Sequence, residues 1–540
     1  MIFFVADLFV EQYTGGAELT TEAILQGSYF PCNKVLSSNP NLLKLMKENH
    51  SSFWIFGNFD NIPESCLLYA AKNLDYSVLE YDYKYCKYRS PGKHIMSEGS
   101  CICTSERKGK VVSIFLNKAK TTWWMSKKQL EHYQSLFPFL KNDNNKVLSS
   151  VFSAEKINYI LSLETNQKDD KYLILNSPSW IKGVEDAVEF AKQNNLEYEL
   201  VWGLNHKDLL DKLARSKGII FFPKAGDTCP RMTIEAKLLN CDLILNDNVQ
   251  HKNEPWFENR ETTLNYLRER TEVFWRQIEQ VSYKNLSLPN TSMDKNNHKV
   301  KFNFIVPFYN CERWISKCIK SIKRQRYKNF KCVLIDDIST DASVNIVERE
   351  ILDDSRFTLI KNKEKKYALA NIATAIESLK CAEDEIVVLL DGDDWLSSSH
   401  VLNRLLDAYE STILMTYGSY VYNPGGKKGV EPSEYPLEVV KNNSFRDDIW
   451  RASHLRTFRQ KLWNNLNKDD LKKDGKYFEM TYDQAIMLPF LEMSAERSKY
   501  IPDILHVYNK QNPLNVDKIK AQKQTNLAKY IRNKKRYARI

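Results

Sequence analysis

Short continuous apolar runs alternate with helix-spaced apolar residues along most of the chain. After residue 300 the runs are FNFIVPFYN, FKCVLIDD, FTLIKN and EIVVLLDGDD, separated by helical patterns over 312–326, 342–352 and 367–379. Continuous runs indicate strands buried on both faces, and helical crossovers indicate that those strands are parallel. This part of the chain therefore predicts an α/β domain with a buried sheet.

The first 280 residues alternate in the same way, less regularly. SSFWIFGNF, YSVLEYDY and KVVSIFLN predict strands of one α/β unit, and the opening MIFFVADLFVEQY predicts its first core strand. KYLILNS, EYELVWG, GIIFFPKAG and DLILND predict strands of a second unit. Two such Rossmann-like units predict a cleft between them.

A polar stretch from Val281 to Lys301 is rich in Asn, Ser and Lys and has no apparent helical or alternating period. We predict a linker there, at 281–300. It divides the Rossmann-like units at 1–150 and 151–280 from an α/β domain at 301–515, which a basic tail at 516–540 follows. A chain of 540 residues is too long for one core, in agreement with several domains.

The net charge of +10 is concentrated in the tail. The tail predicts either a solvated helix or a basic amphipathic helix that contacts anionic lipid at a membrane surface. No apolar run approaches the ~18 residues of a membrane span. The opening run lacks a basic start and a cleavage site, which argues against a signal peptide.

The eleven cysteines show no zinc-like spacing. Cys101 and Cys103 lie too close together for a CxxC pair, and the others are scattered. We expect reduced thiols in a cytoplasmic protein.

The strands after residue 300 end in polar residues. These ends are Pro307 to Asn310, Asp336-Asp337 and Asp391 to Asp394. Ligands of open α/β sheets bind outside the carboxyl ends of the strands, so these residues predict one site. Three aspartates within four positions raise one another's pKa unless a cation lies between them. Carboxylate oxygens suit Mg²⁺ or Mn²⁺.

Three chemistries use such aspartates: nucleotide-sugar transfer, a polymerase palm and a phosphatase with a nucleophilic Asp. The phosphatase is disfavoured because Trp395 follows the cluster and the motif lies on a fourth strand. A palm would need a second aspartate motif upstream, which is absent from the sequence. No nucleic-acid-binding module is recognisable, so we expect no nucleic-acid partner.

The whole series of strand ends resembles family 2 glycosyltransferases of the GT-A fold, from about Phe302 to Asn512. The resemblance implies a UDP- or GDP-sugar donor, a glycan or glycoconjugate acceptor and a divalent cation. It implies the following donor-side roles: Pro307 and Tyr309 in the base pocket, Asp336 or Asp337 at base or ribose, Asp391 at the ribose, and Asp393 as a metal ligand with Asp394. Ile338 stands where the family pattern has Gly.

The same resemblance implies inversion by direct displacement, with Asp483 at a helix start as the base for the acceptor hydroxyl. Tyr482 replaces the usual acidic neighbour. Acceptor contacts are expected from Trp450, His454 and Arg456 in an amphipathic helix start. His506 on the closing strand is a weaker candidate ligand of the metal.

The front half resembles GT-B glycosyltransferases of family 4. Gly15 and Gly16 precede a predicted helix, a turn that suits a phosphate or sugar. In the resembling family a Lys grips the diphosphate and two acidic residues eight apart hold the donor, which implies roles for Lys182, Asp227 and Glu235. An expected Arg is replaced by Asn176.

We therefore expect a bifunctional hexosyl or related transferase. Its GT-A half would be metal-dependent and inverting, and its GT-B-like half would be metal-independent and retaining. Two alternatives stay open. One is a single active GT-A transferase with a non-catalytic GT-B-like sugar- or partner-binding domain, and the other is a binding protein without catalysis.

Overall fold

The computed structural model describes residues 1–165, 167–289, 300–409, 412–514 and 521–540, and only the backbone of residue 521. The chain forms two compact units. The N-terminal unit comprises residues 2–28 and 32–285, and the C-terminal unit comprises residues 286–540 with residue 1 and residues 29–31. None of the described helices is long and apolar enough to cross a lipid bilayer.

The N-terminal unit begins with a parallel sheet. Its strands are β1 Ile2–Ala6, β2 Cys32–Leu36, β3 Phe53–Phe56, β4 Asp75–Glu80, β5 Thr121–Trp124 and β6 Asn145–Val147, in the order β2-β1-β3-β4-β5-β6. The helices of this part are α1 Gly16–Gln26, α2 Leu42–Glu48, α3 Glu64–Asn73, α4 Pro91–Glu98, α5 Arg107–Lys118, α6 Lys127–Leu136 and α7 Ala154–Ser162. β1 and β3 are buried along their whole length, as continuous apolar runs predict.

A second parallel sheet follows in the same unit. Its strands are β7 Tyr172–Leu175, β8 Tyr198–Val201, β9 Gly218–Phe221 and β10 Asp242–Leu245, in the order β10-β9-β7-β8. The helices are α8 Val184–Gln193, α9 His206–Arg215, α10 Arg231–Leu238 and α11 Arg260–Leu286.

Two predictions in this half are corrected by the structure. KVVSIFLN is not a strand but part of α5, because its buried residues Val111, Val112, Phe115 and Leu116 repeat at the four-residue spacing of a helical face. The predicted linker begins too early, since α11 continues to Leu286. The helical period of the end of α11 is not recognisable in the sequence, because the buried position 282 carries a serine instead of an apolar residue. Residues 290–299 of the predicted linker lie outside the described part of the chain.

The C-terminal unit is built on an eight-stranded mixed sheet. Its strands are β11 Phe302–Phe308, β12 Phe330–Asp336, β13 Phe357–Lys361, β14 Ile386–Leu389, β15 Trp395–Leu396, β16 Met415–Asn423, β17 Arg456–Arg459 and β20 Ser498–Asn509, in the order β13-β12-β11-β14-β17-β16-β20-β15. A small ribbon pairs β18 Lys472–Lys473 with β19 Lys476–Tyr477. The helices are α12 Ile315–Lys323, α13 Ser343–Ile351, α14 Tyr367–Leu379, α15 Val401–Ala408, α16 Leu437–Lys441, α17 Gln460–Asn464, α18 Tyr482–Ser494 and α19 Ala521–Arg532.

The predicted parallel part of this sheet covers β11 to β14. Successive residues of these strands point into two different cores. Ile305, Val387 and Leu389 join the core that contains α14 and α18, whereas Phe304 and Val388 join the core that contains α12 and α15. Both faces are buried, which explains why the strands are apolar without alternation.

The basic tail is part of the C-terminal unit, which corrects the predicted boundary at 515. Ile531 of α19 is buried in the same core as α18. Arg446 donates to the Ile531 carbonyl at 2.6 Å and forms a buried ion pair with Glu492 at 2.6 Å. Arg532 in turn donates to two backbone carbonyl oxygens at 2.7 Å. Residues 515–520 lie outside the described part of the chain.

Candidate functional site

Three polar strand ends meet at one edge of the C-terminal sheet. β12, β11 and β14 are adjacent and parallel, so the residues that follow them come together. They border a cavity of about 350 Å³. The predicted site residues that line it are Pro307, Tyr309, Asp337, Asp391, Asp393, Asp394, His454, Arg456 and Asp483.

Asp391 is held by a tyrosine from the start of α18. The Tyr482 hydroxyl lies 2.8 Å from Asp391 Oδ1 and 2.6 Å from Oδ2. Burial and the charge of Asp391 raise the pKa of Tyr482 well above its ordinary value, so the phenol stays protonated and donates. Tyr482, which departs from the family pattern in the sequence, thus links the aspartate cluster to the helix of the predicted base.

Asp393 points toward an amide that follows β20. Asn512 Nδ2 donates to Asp393 Oδ2 at 2.8 Å. Burial, followed by the charges of Asp394 and Asp391, raises the pKa of Asp393 to about 8. Ionisation of this carboxyl group is therefore unfavourable until positive charge reaches the cavity. Sequence reasoning missed Asn512, whose only signal is its place in the loop after the closing strand.

Asp394 is buried at the edge of the cavity. It accepts the Asn509 backbone N–H at 2.8 Å and lies 2.8 Å from His506 Nε2. Burial raises the pKa of Asp394 well above its ordinary value and lowers that of His506 to about 3. Both pKa shifts favour a neutral Asp394 carboxyl group and a neutral His506 imidazole, with one proton between them. The His454 ring stacks on His506 with centroids 4.4 Å apart.

The predicted metal ligands therefore occupy two layers. Asp393 is half-buried at the cavity, as is Asp391, which was predicted at the ribose, whereas the predicted ligands Asp394 and His506 are fully buried. The candidate ligand atoms of Asp394, His454 and His506 also lie within 4.8 Å of one another. Crowded carboxylates whose pKa values are raised in the absence of positive charge fit a divalent cation with oxygen ligands. His506 faces Asp394 and does not line the cavity.

Asp483 lies in the first turn of α18, where the helix dipole favours an anion. Its Oδ2 is 3.9 Å from Nη2 of Arg456. Burial alone would lower the pKa of Arg456, but Tyr482, Asp483 and Asp391 raise it. Thr481, the residue before the helix, has a left-handed φ of 60°. Such a conformation costs on the order of 1–3 kcal/mol for a non-glycine residue.

The two aspartates after β12 have different surroundings. The Asp336 carboxylate accepts the Ser339 N–H at 3.0 Å and does not line the cavity. Asp337 lines the cavity and accepts the backbone N–H groups of Lys366 and Tyr367 at 2.8 and 3.0 Å. Of the two aspartates that the resemblance offered for base or ribose, Asp337 is the one at the cavity.

The acceptor-side predictions are corrected in part. Arg456 begins strand β17 and is not in a helix. Trp450 does not line the cavity but packs, half-buried, against the core around α18. His454 does line it, with Nε2 3.1 Å from Arg456 Nη2. Aromatic and basic residues at helical spacing suggested a helix, whereas the segment from 449 to 455 has no regular structure.

The N-terminal unit has a cavity of its own, of about 570 Å³, between its two parallel sheets. All five residues predicted for a second donor site line it: Gly15, Gly16, Lys182, Asp227 and Glu235. Gly15 and Gly16 stand at the start of α1. Lys182 Nζ is 2.6 Å from Asp227 Oδ2, and the buried Glu235 carboxylate is 2.8 Å from His206 Nε2.

Two arginines that sequence reasoning missed also line the N-terminal cavity. Arg231 starts α10 one turn before Glu235 and is stacked over the Phe152 ring. Arg89 donates to Asp82 and, at 3.0 Å, to Asn58. They carry positive charge into a cavity where the expected arginine is replaced by Asn176. The sequence signal for Arg231 is that it precedes Glu235 by one turn on the same helix face.

Comparison with known proteins places a match in the C-terminal unit. Residues 303–471 match the model of glycosyl transferase family 2. Glycosyltransferase GlyA of Streptococcus pneumoniae is 28% identical over 222 residues, which are 38% of this chain and 30% of the relative. An uncharacterized glycosyltransferase of Haemophilus influenzae is 30% identical over 122 residues, 22% of this chain and 47% of the relative. The chain thus spans less than half of the length of either relative.

Among solved structures, the chain is similar to residues 1–349 of TarS from S. aureus in complex with UDP-GlcNAc. The TM-score is 0.31 and the identity 20%, over 39% of this chain and 59% of the TarS chain. The family match does not extend to the N-terminal unit. The match and the relatives show that residues 303–471 are similar to family 2 glycosyltransferase domains.

Proposed function

We propose that the C-terminal unit is a metal-dependent, inverting glycosyltransferase that acts on a glycan or glycoconjugate acceptor. One observation carries the proposal: a single cavity joins the carboxylates at the end of β14 to Asp337 on one side and Asp483 on the other. The residues proposed to bind the donor and the proposed base therefore border the same cavity. Pro307 and Tyr309 form the wall on which a UDP or GDP base would lie.

Asp393 and Asp394 would hold Mn²⁺ or Mg²⁺ at the cavity, with His506 behind Asp394, and Asp391 would lie at the donor ribose. The cation would neutralise the negative charge that develops on the departing diphosphate. Through their hydrogen bonds, Asn512 orients the carboxylate of Asp393 and Tyr482 orients that of Asp391.

Asp483 is the proposed base. Its carboxylate accepts the proton of the acceptor hydroxyl while the acceptor oxygen bonds to the anomeric carbon. The bond from that carbon to the donor's diphosphate oxygen breaks on the opposite face, which inverts the configuration. Arg456 places its positive charge 3.9 Å from the Asp483 carboxylate, and the charges of Asp483 and Asp391 both raise the pKa of Arg456.

A second donor site in the N-terminal cavity is our proposal for that unit. The observation that favours it is the convergence of Lys182, Arg89 and Arg231 on one cavity beside the α1 start. Without a metal, such cations and a helix dipole would bear the diphosphate charge. A non-catalytic sugar-binding role is the alternative, because Lys182 is already paired with Asp227.

The same chain in the cytoplasm would meet nucleotide sugars directly, and we propose that compartment. We also propose peripheral membrane contact through Lys523 and Lys529, the exposed lysines of α19, whereas its arginine, Arg532, donates to the backbone of the fold.

Release of UDP or GDP from a panel of nucleotide sugars tests these assignments on the full chain. Asp483→Asn is expected to abolish the nucleotide release that depends on the C-terminal site. Glu235→Gln is expected to abolish the nucleotide release that depends on the N-terminal site. If Glu235→Gln leaves the release of UDP or GDP unchanged for every donor, the alternative of a non-catalytic binding domain is favoured. If Asp483→Asn leaves every activity intact, the proposed base is wrong.

A further inference from the structure

Four side chains of the N-terminal unit with metal-ligating atoms converge outside the cavity described above. They are Cys86, His94, Cys101 and Cys103, and their sulfur and ring nitrogen atoms all lie within 4.8 Å of one another. Cys86, His94 and Cys103 are buried, and Cys101 is half-buried. The three cysteines carry free thiols. The spacing in the sequence showed no zinc pattern, and the fold creates the cluster.

Three of the six separations between the ligand atoms match the edges of a tetrahedral zinc site. His94 Nδ1 lies 3.4 Å from the sulfur of Cys86 and 3.4 Å from that of Cys103. The sulfur atoms of Cys86 and Cys101 are 3.8 Å apart. Zinc bonds of about 2.3 Å to sulfur and 2.0–2.1 Å to nitrogen give tetrahedral edges of about 3.8 Å for S···S and about 3.6 Å for S···N.

The outer nitrogen of His94 completes the arrangement. Its Nε2 is 2.9 Å from Glu98 Oε2, which leaves Nδ1 facing the sulfurs. Lys87 and Tyr88 each donate to the Glu98 carboxylate at 2.7 Å and hold it in place. Histidines that ligate a metal commonly donate their other ring N–H to a carboxylate in this way.

The backbone brings the four ligands together through α4. Cys86 precedes this helix, His94 lies within it, and Gly99 ends it in the left-handed conformation with φ 80°. The chain then turns back to Cys101 and Cys103. A Cβ added at Gly109 of α5 would lie 2.0 Å from the Cys103 carbonyl oxygen, so a glycine there permits the close approach.

A disulfide does not explain the cluster. The 3.8 Å between the Cys86 and Cys101 sulfurs greatly exceeds a bond of about 2.05 Å. A disulfide would also leave one thiol and the oriented imidazole without a role.

We propose that Cys86, His94, Cys101 and Cys103 bind one Zn²⁺ in a structural site. Four protein ligands leave no open coordination position, which is typical of structural and not of catalytic zinc. The ion would close the segment 86–103 into a loop. That segment carries Arg89, which lines the N-terminal cavity, so the zinc would stabilise one wall of it.

The test is the metal content of the purified full chain under reducing conditions, by elemental mass spectrometry. About one zinc per chain is expected from four ligands. The chain produced in cobalt-supplemented medium should show thiolate-to-cobalt charge-transfer absorption and intense tetrahedral visible bands. A folded chain with neither zinc nor that absorption overturns the proposal, as does a Cys86–Cys101 disulfide in the reduced preparation.

Variants assign the ion to the cluster. Cys101→Ser should lose the zinc, and Cys66→Ser, which removes another buried cysteine of the same unit, should retain it. Glu98→Gln should weaken zinc affinity about 10–100-fold by removing the carboxylate behind His94. Asp393→Asn should keep the stoichiometry unchanged. Full zinc content in a Cys101→Ser, Cys103→Ser double variant contradicts the assignment. If these variants do not fold, the cobalt spectrum of the unaltered chain tests the proposal instead.

Discussion

Asp483 bears the proposed chemistry at the scale of a single residue. Asp483→Asn keeps the shape of the side chain but removes the proton acceptor, so we expect kcat to fall about 10²–10⁴-fold with the donor KM unchanged. Steady-state release of nucleoside diphosphate measures both constants.

The matched control is Asp474→Asn, an exposed aspartate of the same unit that lies outside the cavity. It should leave kcat unchanged. An equal fall in both variants would assign the effect to charge at a distance. A rise in KM alone would make Asp483 a binding residue.

Ile338 carries a strain that follows from its residue type. Its φ is 66°, a left-handed value that is unusual for a β-branched side chain, and 36% of the residue is exposed. The family pattern has glycine there, because glycine adopts this conformation without a steric cost. Ile338→Gly should raise the free energy of unfolding by roughly 1 kcal/mol, the left-handed cost minus the entropy of glycine.

Denaturant unfolding of the two chains measures this change. Ile338→Ala keeps a Cβ and serves as the control that should gain less stability. Lower stability of the glycine variant would show that the Ile338 side chain contributes packing that outweighs the strain.

At the scale of elements, the C-terminal helix depends on one buried ion pair. Arg446 holds Glu492 of α18 with two hydrogen bonds, at 2.6 and 2.9 Å, and the Ile531 carbonyl of α19 with a third. Glu492→Ala leaves a buried guanidinium without its anion and should cost about 3–5 kcal/mol of unfolding free energy.

The exposed pair of Lys361 and Glu348 is the comparison, with side chains about half exposed. Glu348→Ala should cost less than ~1 kcal/mol, because solvent screens such pairs. Similar losses in both variants, by the same denaturant series, would refute the structural role given to the tail.

The elements that could be predicted from the sequence are those whose pattern is local. β11, β12 and β14 followed from apolar runs, and their parallel pairing placed Asp337, Asp391 and Asp393 at one edge. α5 was misassigned because its core-facing residues come in adjacent pairs, which resemble a strand over a short window. The helical tail was predicted, but its packing depends on Arg446, a residue 85 positions from Ile531.

Contacts between distant segments explain what could not be predicted of the sites. Asn512 meets Asp393 across 119 positions, and no local pattern indicates such a pair. Arg231 donates to the Thr20 hydroxyl at the N-terminal cavity across 211 positions of the sequence. The Cys86 cluster depends on a helix and a glycine turn between ligands whose spacing matches no zinc motif.

At the scale of the whole molecule, the two cavities described above differ in character. The C-terminal cavity is lined mainly by carboxylates, which suit a cation, whereas the N-terminal cavity combines the cations Lys182, Arg89 and Arg231 with an equal number of carboxylates, those of Asp82, Asp227 and Glu235. Removal of divalent cations should therefore distinguish the activities of the two sites. Any activity of the N-terminal unit should persist in a chelator that does not extract the proposed zinc.

The central claim is that the C-terminal site transfers sugar only with a divalent cation. Its most direct test is the release of UDP or GDP from a panel of nucleotide sugars by the full chain with Lys182→Ala, which disables the N-terminal site. We expect no release in EDTA, recovery on adding excess Mn²⁺ or Mg²⁺, and no recovery when Asp393→Asn is added. Equal release with and without the cation, or full activity of the Asp393→Asn chain, would contradict the account.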